Sequence, residues 1–203
     1  MKSQDWLLTA AGHCQSWDFP EPDELSDSPY RLYRFLTEVE DLLNQVSDDQ
    51  ERLYGICPLV RRLLNHSLWL QIPQLEPDPE LGWSVLTLYD EPDFPLTVQL
   101  VAWSPGTISP IHNHACWGVV ALISGEEENT FWQRSPTSQY PDQIERVGDL
   151  ILMPGDLISF LPDAIHQVKA LGDQPTISFN LYGATDYDQR FEFDAIAHTA
   201  KIF

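Results

Sequence analysis

The chain has 203 residues, 43% of them apolar, and 31 acidic against 11 basic side chains, for a formal net charge of -20. That length supports one sizeable core, or one core with an appended helical lobe. The acid excess argues against nucleic acid and anionic membranes, both of which want a basic patch, and fits a solvated, soluble surface.

In chain order, the start (Met1 to Gly12) has an apolar stretch too short for a secretory leader, with Asp5 ahead of it. Residues 1–27, with Pro20, Pro22 and several acids, read as an irregular arm draped on the core. Ser28 before Pro29 is a helix start signal, and Tyr30, Leu32, Tyr33, Leu36, Val39, Leu42, Leu43 and Val46 recur at helical steps. A second helical pattern runs from Asp49 to Leu70, with a break expected between Gly55 and Pro58. These leucine and aromatic stripes are packing surface. After the proline-rich link Pro73 to Pro79 the texture is β.

Strands are expected at 83–89, 97–103, 117–124, 130–134, 150–153, 157–161, 166–171, 176–182 and 190–193, separated by turns such as Glu91-Pro-Asp, Ser104-Pro-Gly and Pro154-Gly-Asp. Many short strands with regular turns mean a sandwich or barrel. The expected organisation is therefore an N-terminal arm and helical lobe over 1–79, packed on a β barrel over 80–203 with a C-terminal strand and tail. The acidic triplet Glu126 to Glu128 reads as a solvated hairpin end. Three scattered cysteines, Cys14, Cys57 and Cys116, outline no disulfide framework and suit a reducing cytoplasm, so the expected location is cytoplasmic. No apolar run reaches the length of a membrane span.

His112-Asn113-His114 carries the chemistry. Two imidazoles two residues apart on a strand point to one face, which is how a sheet chelates a transition metal. A His-x-His pair alone is more often two surface or core histidines, so a third ligand decides. His166 opens an apolar strand after the turn Pro162-Asp-Ala and is the candidate. His13, His66 and His198 lie in the arm, a helix and the tail, and read as unrelated to it.

The frame Gly106-x5-His112-x-His114-x3-Gly118-x6-Gly125 resembles the first motif of the cupins, except that Gly118 stands where cupins usually carry a Glu ligand. Gly148-x5-Pro154-Gly155 followed by Pro162-x3-His166 resembles a loosened second motif. Leu100-Val-Ala-Trp-Ser-Pro-Gly, Pro110-Ile-His-Asn-His, Trp117-Gly-Val-Val and Ile177-Ser-Phe-Asn-Leu-Tyr-Gly-Ala are similar to the cysteine dioxygenase-like family of thiol dioxygenases, bacterial branch. The resemblance covers about residues 30–195. It implies a mainly β fold, the cupin double-stranded β-helix (a jelly-roll barrel) preceded by a small α-helical lobe. It also implies a mononuclear non-haem iron dioxygenase that oxidises a small thiol to its sulfinate, with His112, His114 and His166 holding Fe(II).

Three neutral imidazoles without a carboxylate suit a metal that receives an anionic thiolate together with O2. Nickel, zinc, manganese and copper accept the same donors. Ser178, Asn180 and Tyr182 alternate on one strand face, where the family carries a Ser-His-Tyr relay. Ser178 and Tyr182 match it, and Asn180 replaces the histidine with an amide that cannot shuttle a proton near pH 7. Tyr182 is either the catalytic tyrosine or a core tyrosine. The arginine that anchors the substrate carboxylate in the family is absent from Gly82 to Tyr89. Arg190 is either a replacement anchor of the kind bacterial relatives place after the Tyr strand or a solvent-exposed arginine. Cys116 has the parity of the histidines but reads as a small buried hydrophobe, with no crosslink, because the crosslinking cysteine of the family corresponds to Gly118. The expected partners are a small thiol and O2, with the chain a monomer or small homo-oligomer. The alternatives are a three-His oxygenase acting on a non-thiol substrate and a non-catalytic cupin that binds a metal or small ligand.

Overall fold

From Trp83 onward the chain forms short strands, some alternating in burial, as over Glu126–Arg134, and others apolar and buried on both faces, as over Leu157–Phe160. A computed structural model describes residues 3–19, 30–71, 75–92 and 94–203. The Pro20–Pro22 part of the arm, the Ser28–Pro29 start signal, Pro73 of the link and Asp93 of the first turn lie outside the described residues. The strands are β1 (Asp5–Leu8), β2 (Cys14–Ser16), β3 (Trp83–Glu91), β4 (Phe94–Trp103), β5 (Ile111–His112), β6 (Gly118–Ser124) and β7 (Glu126–Arg134). They continue with β8 (Ile144–Leu152), β9 (Leu157–Phe160), β10 (Ile165–Leu171), β11 (Thr176–Tyr182), β12 (Phe191–Asp194) and β13 (Thr199–Ile202).

Two sheets form. One has the order β2-β1-β9-β6-β11-β4-β3 and the other β13-β12-β5-β10-β7-β8. From β4 to β11, successive strands switch sheets at every step except the β7–β8 hairpin, which leaves β9-β6-β11-β4 facing β5-β10-β7-β8. That strand order is the jelly roll, the double-stranded β-helix of the cupin fold. Its interior is filled by Val120, Leu122, Phe131, Leu152, Ile158 and Phe160, all buried.

The expected irregular arm is corrected. Residues 5–8 run parallel to β9, with Trp6 opposite Ile158, and β2 pairs antiparallel outside β1. The exposed edge of β9 offers unpaired backbone groups, and Leu7 and Leu8 bury fully as β1 covers it. The chain accordingly divides into a unit of Met1–Ser16 with Leu75–Phe203 and a unit of Trp17–Gln74, so these strands belong with the barrel.

The second unit holds α1 (Leu32–Gln45), α2 (Asp49–His66) and α3 (Leu68–Gln71). The expected break between Gly55 and Pro58 does not occur, and α2 runs through both. Asp48 caps the helix by accepting from the Glu51 amide at 2.9 Å. Leu53, Ile56, Cys57, Val60 and Leu63 bury one continuous stripe, which outweighs the hydrogen bond lost at the proline. Gly55 is a contact and not a breaker: a Cβ there would come within 2.6 Å of Leu42 Cδ1 on α1. None of the described helices is long and apolar enough to cross a membrane.

Candidate metal centre

His112, His114 and His166 converge inside the barrel, with ligand nitrogens all within 4.8 Å of one another. His112 ends β5 and His166 lies directly opposite it on β10. His114 sits beyond the end of β5, so the strand assumed to carry both histidines stops after the first. The pair converges nonetheless, and the chain turns just after it at Ala115, which adopts φ 52°. Nε2 of His114 lies 3.2 Å from Nε2 of His112 and 3.0 Å from Nε2 of His166.

The ring tautomers follow from the outer contacts. Nδ1 of His112 donates to the Pro110 carbonyl at 2.9 Å, and Nδ1 of His166 donates to Asn129 Oδ1 at 3.2 Å. Both Nε2 atoms then carry lone pairs pointed at the cluster. Burial lowers the pKa of His112 to about 4, against the Pro110 hydrogen bond and with help from the Arg190 charge. Burial also holds His114 and His166 well below the usual imidazole range, and mutual repulsion within the cluster adds to it. A single Nε2–H on His114 can serve only one of its two Nε2 neighbours, so the cluster keeps converging lone pairs that its own donors do not satisfy. A divalent cation fits this donor set.

Gly118 explains the missing carboxylate. A Cβ there would run into the Phe160 ring and lie 3.0 Å from Tyr182 Cδ1. The space a glutamate would need is filled by aromatic rings that also line the site. The His114 ring stacks on Tyr182 with centroids 4.7 Å apart and planes 19° apart, and on Phe160 at 4.9 Å and 21°.

Asn113 points away from the histidines and pins their segment. Its Nδ2 donates to the Gln189 carbonyl at 2.9 Å, and the Phe191 amide donates to its Oδ1 at 2.7 Å. The residue between those two backbone groups is Arg190. Its guanidinium lies 4.5 Å over the Phe203 ring, which is 5.6 Å from the His112 ring. Arg190 Nε is buried without a hydrogen-bond partner among the described residues, and its charge lowers the pKa of His112 and His114. Arg190 is half-buried, which sets aside the solvent-exposed reading.

On β11, Tyr182 donates to Asn180 Oδ1 at 3.0 Å, and Asn180 Nδ2 donates to Ser178 Oγ at 2.9 Å. Burial holds the Tyr182 phenol protonated far above neutral pH. Ser178, Asn180 and Tyr182 therefore lie together, with Tyr182 against a candidate ligand. Cys116 is buried, its sulfur 3.5 Å from Thr185 Oγ1.

Glu127 corrects the reading of the acidic triplet as solvated. It is 2% exposed and accepts from Thr176 Oγ1 at 2.7 Å. Burial raises its pKa to about 7, against the Thr176 hydrogen bond. β7 begins at Glu126, so Glu127, Asn129 and Phe131 share the inner face. Carrying the alternation back from Phe131 would have found both Glu127 and Asn129. Phe203 and the Phe160 ring had no comparable signal.

No family model matches the chain. Similar solved structures include oxalate oxidase in complex with glycolate, at 12% identity over 53% of each chain with a TM-score of 0.38. A cupin-2 domain from Rhodospirillum rubrum is 16% identical over 51% of this chain and 60% of its own, with a TM-score of 0.38. KdgF from a Halomonas species is 17% identical over 54% of this chain and 86% of its own, with a TM-score of 0.40. This chain spans about half the length of the oxalate oxidase chains it matches. With TM-scores below 0.5, the fold stands on the strand order of the chain itself. By that order the chain is a cupin-type barrel, and it carries a buried three-histidine group that could hold a divalent metal.

Proposed function

We propose that this chain is a mononuclear iron dioxygenase that converts a small thiol to its sulfinate, with R-SH and O2 giving R-SO2H. The observation that carries the reading is the neutral three-imidazole cluster at a position where Gly118 and Phe160 leave no room for a carboxylate ligand. A carboxylate would place negative charge where a thiolate must bind, and three imidazoles do not. His112, His114 and His166 would hold Fe(II). Bound there, the ion supplies open coordination positions and the redox chemistry of oxygen transfer. Nickel and zinc suit the same donors.

The other residues bind, orient and exclude water. Arg190, with its unpartnered Nε, offers a guanidinium fork to a substrate carboxylate. Asn113 holds the backbone on both sides of it. Phe160 and Tyr182 wall the site against His114, and Phe203 lies beside His112 and Arg190. Tyr182 presents its phenol oxygen to the substrate, while Ser178 and Asn180 hold that hydroxyl in place.

Anaerobic loading with Fe(II), followed by oxygen-electrode and mass-spectrometric assays with cysteine, 3-mercaptopropionate and cysteamine, tests the reading. Thiol-dependent oxygen uptake with one sulfinate per O2 is expected. Stoichiometric iron with no thiol-dependent uptake would sink it. In that case a non-catalytic metal-binding barrel takes its place, a reading favoured by the amide at Asn180, which interrupts the proton path.

A further inference from the structure

The direction of the hydrogen bonds along β11 is fixed by one backbone carbonyl. One end of the Asn180 amide lies 3.1 Å from the carbonyl oxygen of Ser178, which can only accept. That end is therefore the amino group, and the same nitrogen donates to Ser178 Oγ at 2.9 Å. The other end is Oδ1, 3.0 Å from the Tyr182 hydroxyl. An amide oxygen also only accepts, so Tyr182 must donate to it. A phenol has one proton. With that proton committed inward, the Tyr182 oxygen keeps only lone pairs for anything bound beside His114, on which its ring stacks at 4.7 Å. A histidine at 180 could change tautomer and reverse the bond, and an amide cannot. Asn180 is 4% exposed, so water has little access to compete for its oxygen.

We propose that Asn180 is a positioning residue that fixes Tyr182 as a hydrogen-bond acceptor, so that Tyr182 favours ligands carrying an N–H or O–H donor and itself gives no hydrogen bond to anionic acceptors. Among thiols this favours those with an ammonium, amide or hydroxyl near the sulfur. That choice of ligand rests on the thiol reading above, and the direction of the hydrogen bond does not.

The test uses cobalt(II)-loaded protein, whose visible spectrum follows ligand binding without turnover. Azide, an acceptor-only anion, should bind wild type and Tyr182→Phe equally, because Tyr182 has no proton to offer it. Asn180→Leu releases that proton, so azide should bind about tenfold tighter, and the gain should vanish in Asn180→Leu/Tyr182→Phe. The ratio of cysteine to 3-mercaptopropionate affinity, which isolates the ammonium, should fall about tenfold on Tyr182→Phe. Azide binding that weakens in Tyr182→Phe overturns the proposal, since the hydroxyl then donates to ligands. Azide binding unchanged in a folded Asn180→Leu overturns it as well, since the oxygen is then out of reach. The expected azide pattern with neither thiol bound supports the hydrogen-bond direction and overturns the thiol reading.

Discussion

Asn113 brackets Arg190, donating to the carbonyl before it at 2.9 Å and accepting from the amide after it at 2.7 Å. The middle residue of His112-Asn113-His114 thus ties the histidine segment to the backbone on both sides of Arg190. Replacing it with alanine removes two part-buried hydrogen bonds, worth about 1 kcal/mol each. Asn113→Ala should lower the unfolding free energy by about 2 kcal/mol. It should also raise KM for 3-mercaptopropionate in the same direction as Arg190→Met, with little change for cysteamine, which has no carboxylate.

Asn129 acts one step behind His166, accepting from its Nδ1 at 3.2 Å. That contact sets the tautomer which turns Nε2 toward the cluster. Partners of this kind are worth about 10–100-fold in metal affinity. Asn129→Ala should weaken divalent-metal affinity by that factor in a competitive chelator titration, while the protein stays folded.

Gly118 is occupied space in disguise, because a Cβ there meets Phe160 and Tyr182. Gly118→Ala should cost about 1–3 kcal/mol in urea denaturation. Shrinking the neighbour, as in Gly118→Ala/Phe160→Leu, should recover part of it. Gly118→Glu should lose stability without adding a ligand.

Glu127 predicts a stability that falls as pH rises. Its carboxyl titrates near 7 in the fold and near 4.5 when unfolded. Below 4.5 both states are protonated and burial carries no charge penalty. Between 4.5 and 7 the unfolded chain releases a proton that the fold retains, so the stabilising contribution is lost as pH climbs through 7. The full effect is about 3 kcal/mol at 1.36 kcal/mol per unit. Glu127→Gln should gain stability relative to wild type between pH 5 and pH 8. A difference in unfolding free energy that stays constant across that range contradicts the burial.

The barrel and its three-histidine group were legible because they leave local marks. Strand alternation, turns and the glycine frame around His112 and His114 are patterns of neighbouring residues, and β11 was read over the full range it occupies. What escaped depends on pairing across the fold. Asp5–Leu8 looks irregular until the edge of β9 is there to receive it. Glu127 looks solvated because charged residues usually are, and only its Thr176 partner on the other sheet makes burial tolerable. Gly55 and Pro58 read as breakers because helix propensity is weak beside a buried stripe. The Phe160 ring at Gly118 is a packing fact with no counterpart in local sequence.

The measurement closest to the central claim is anaerobic Fe(II) titration of the metal-free protein and of His112→Ala, His114→Ala and His166→Ala, read by bound metal and thermal shift. One equivalent of iron should bind to wild type and raise its Tm, because metal binds the assembled site and not the unfolded chain. Each variant should fall below half an equivalent and lose the shift. Equal binding in wild type and all three variants, or none in wild type, would contradict the account.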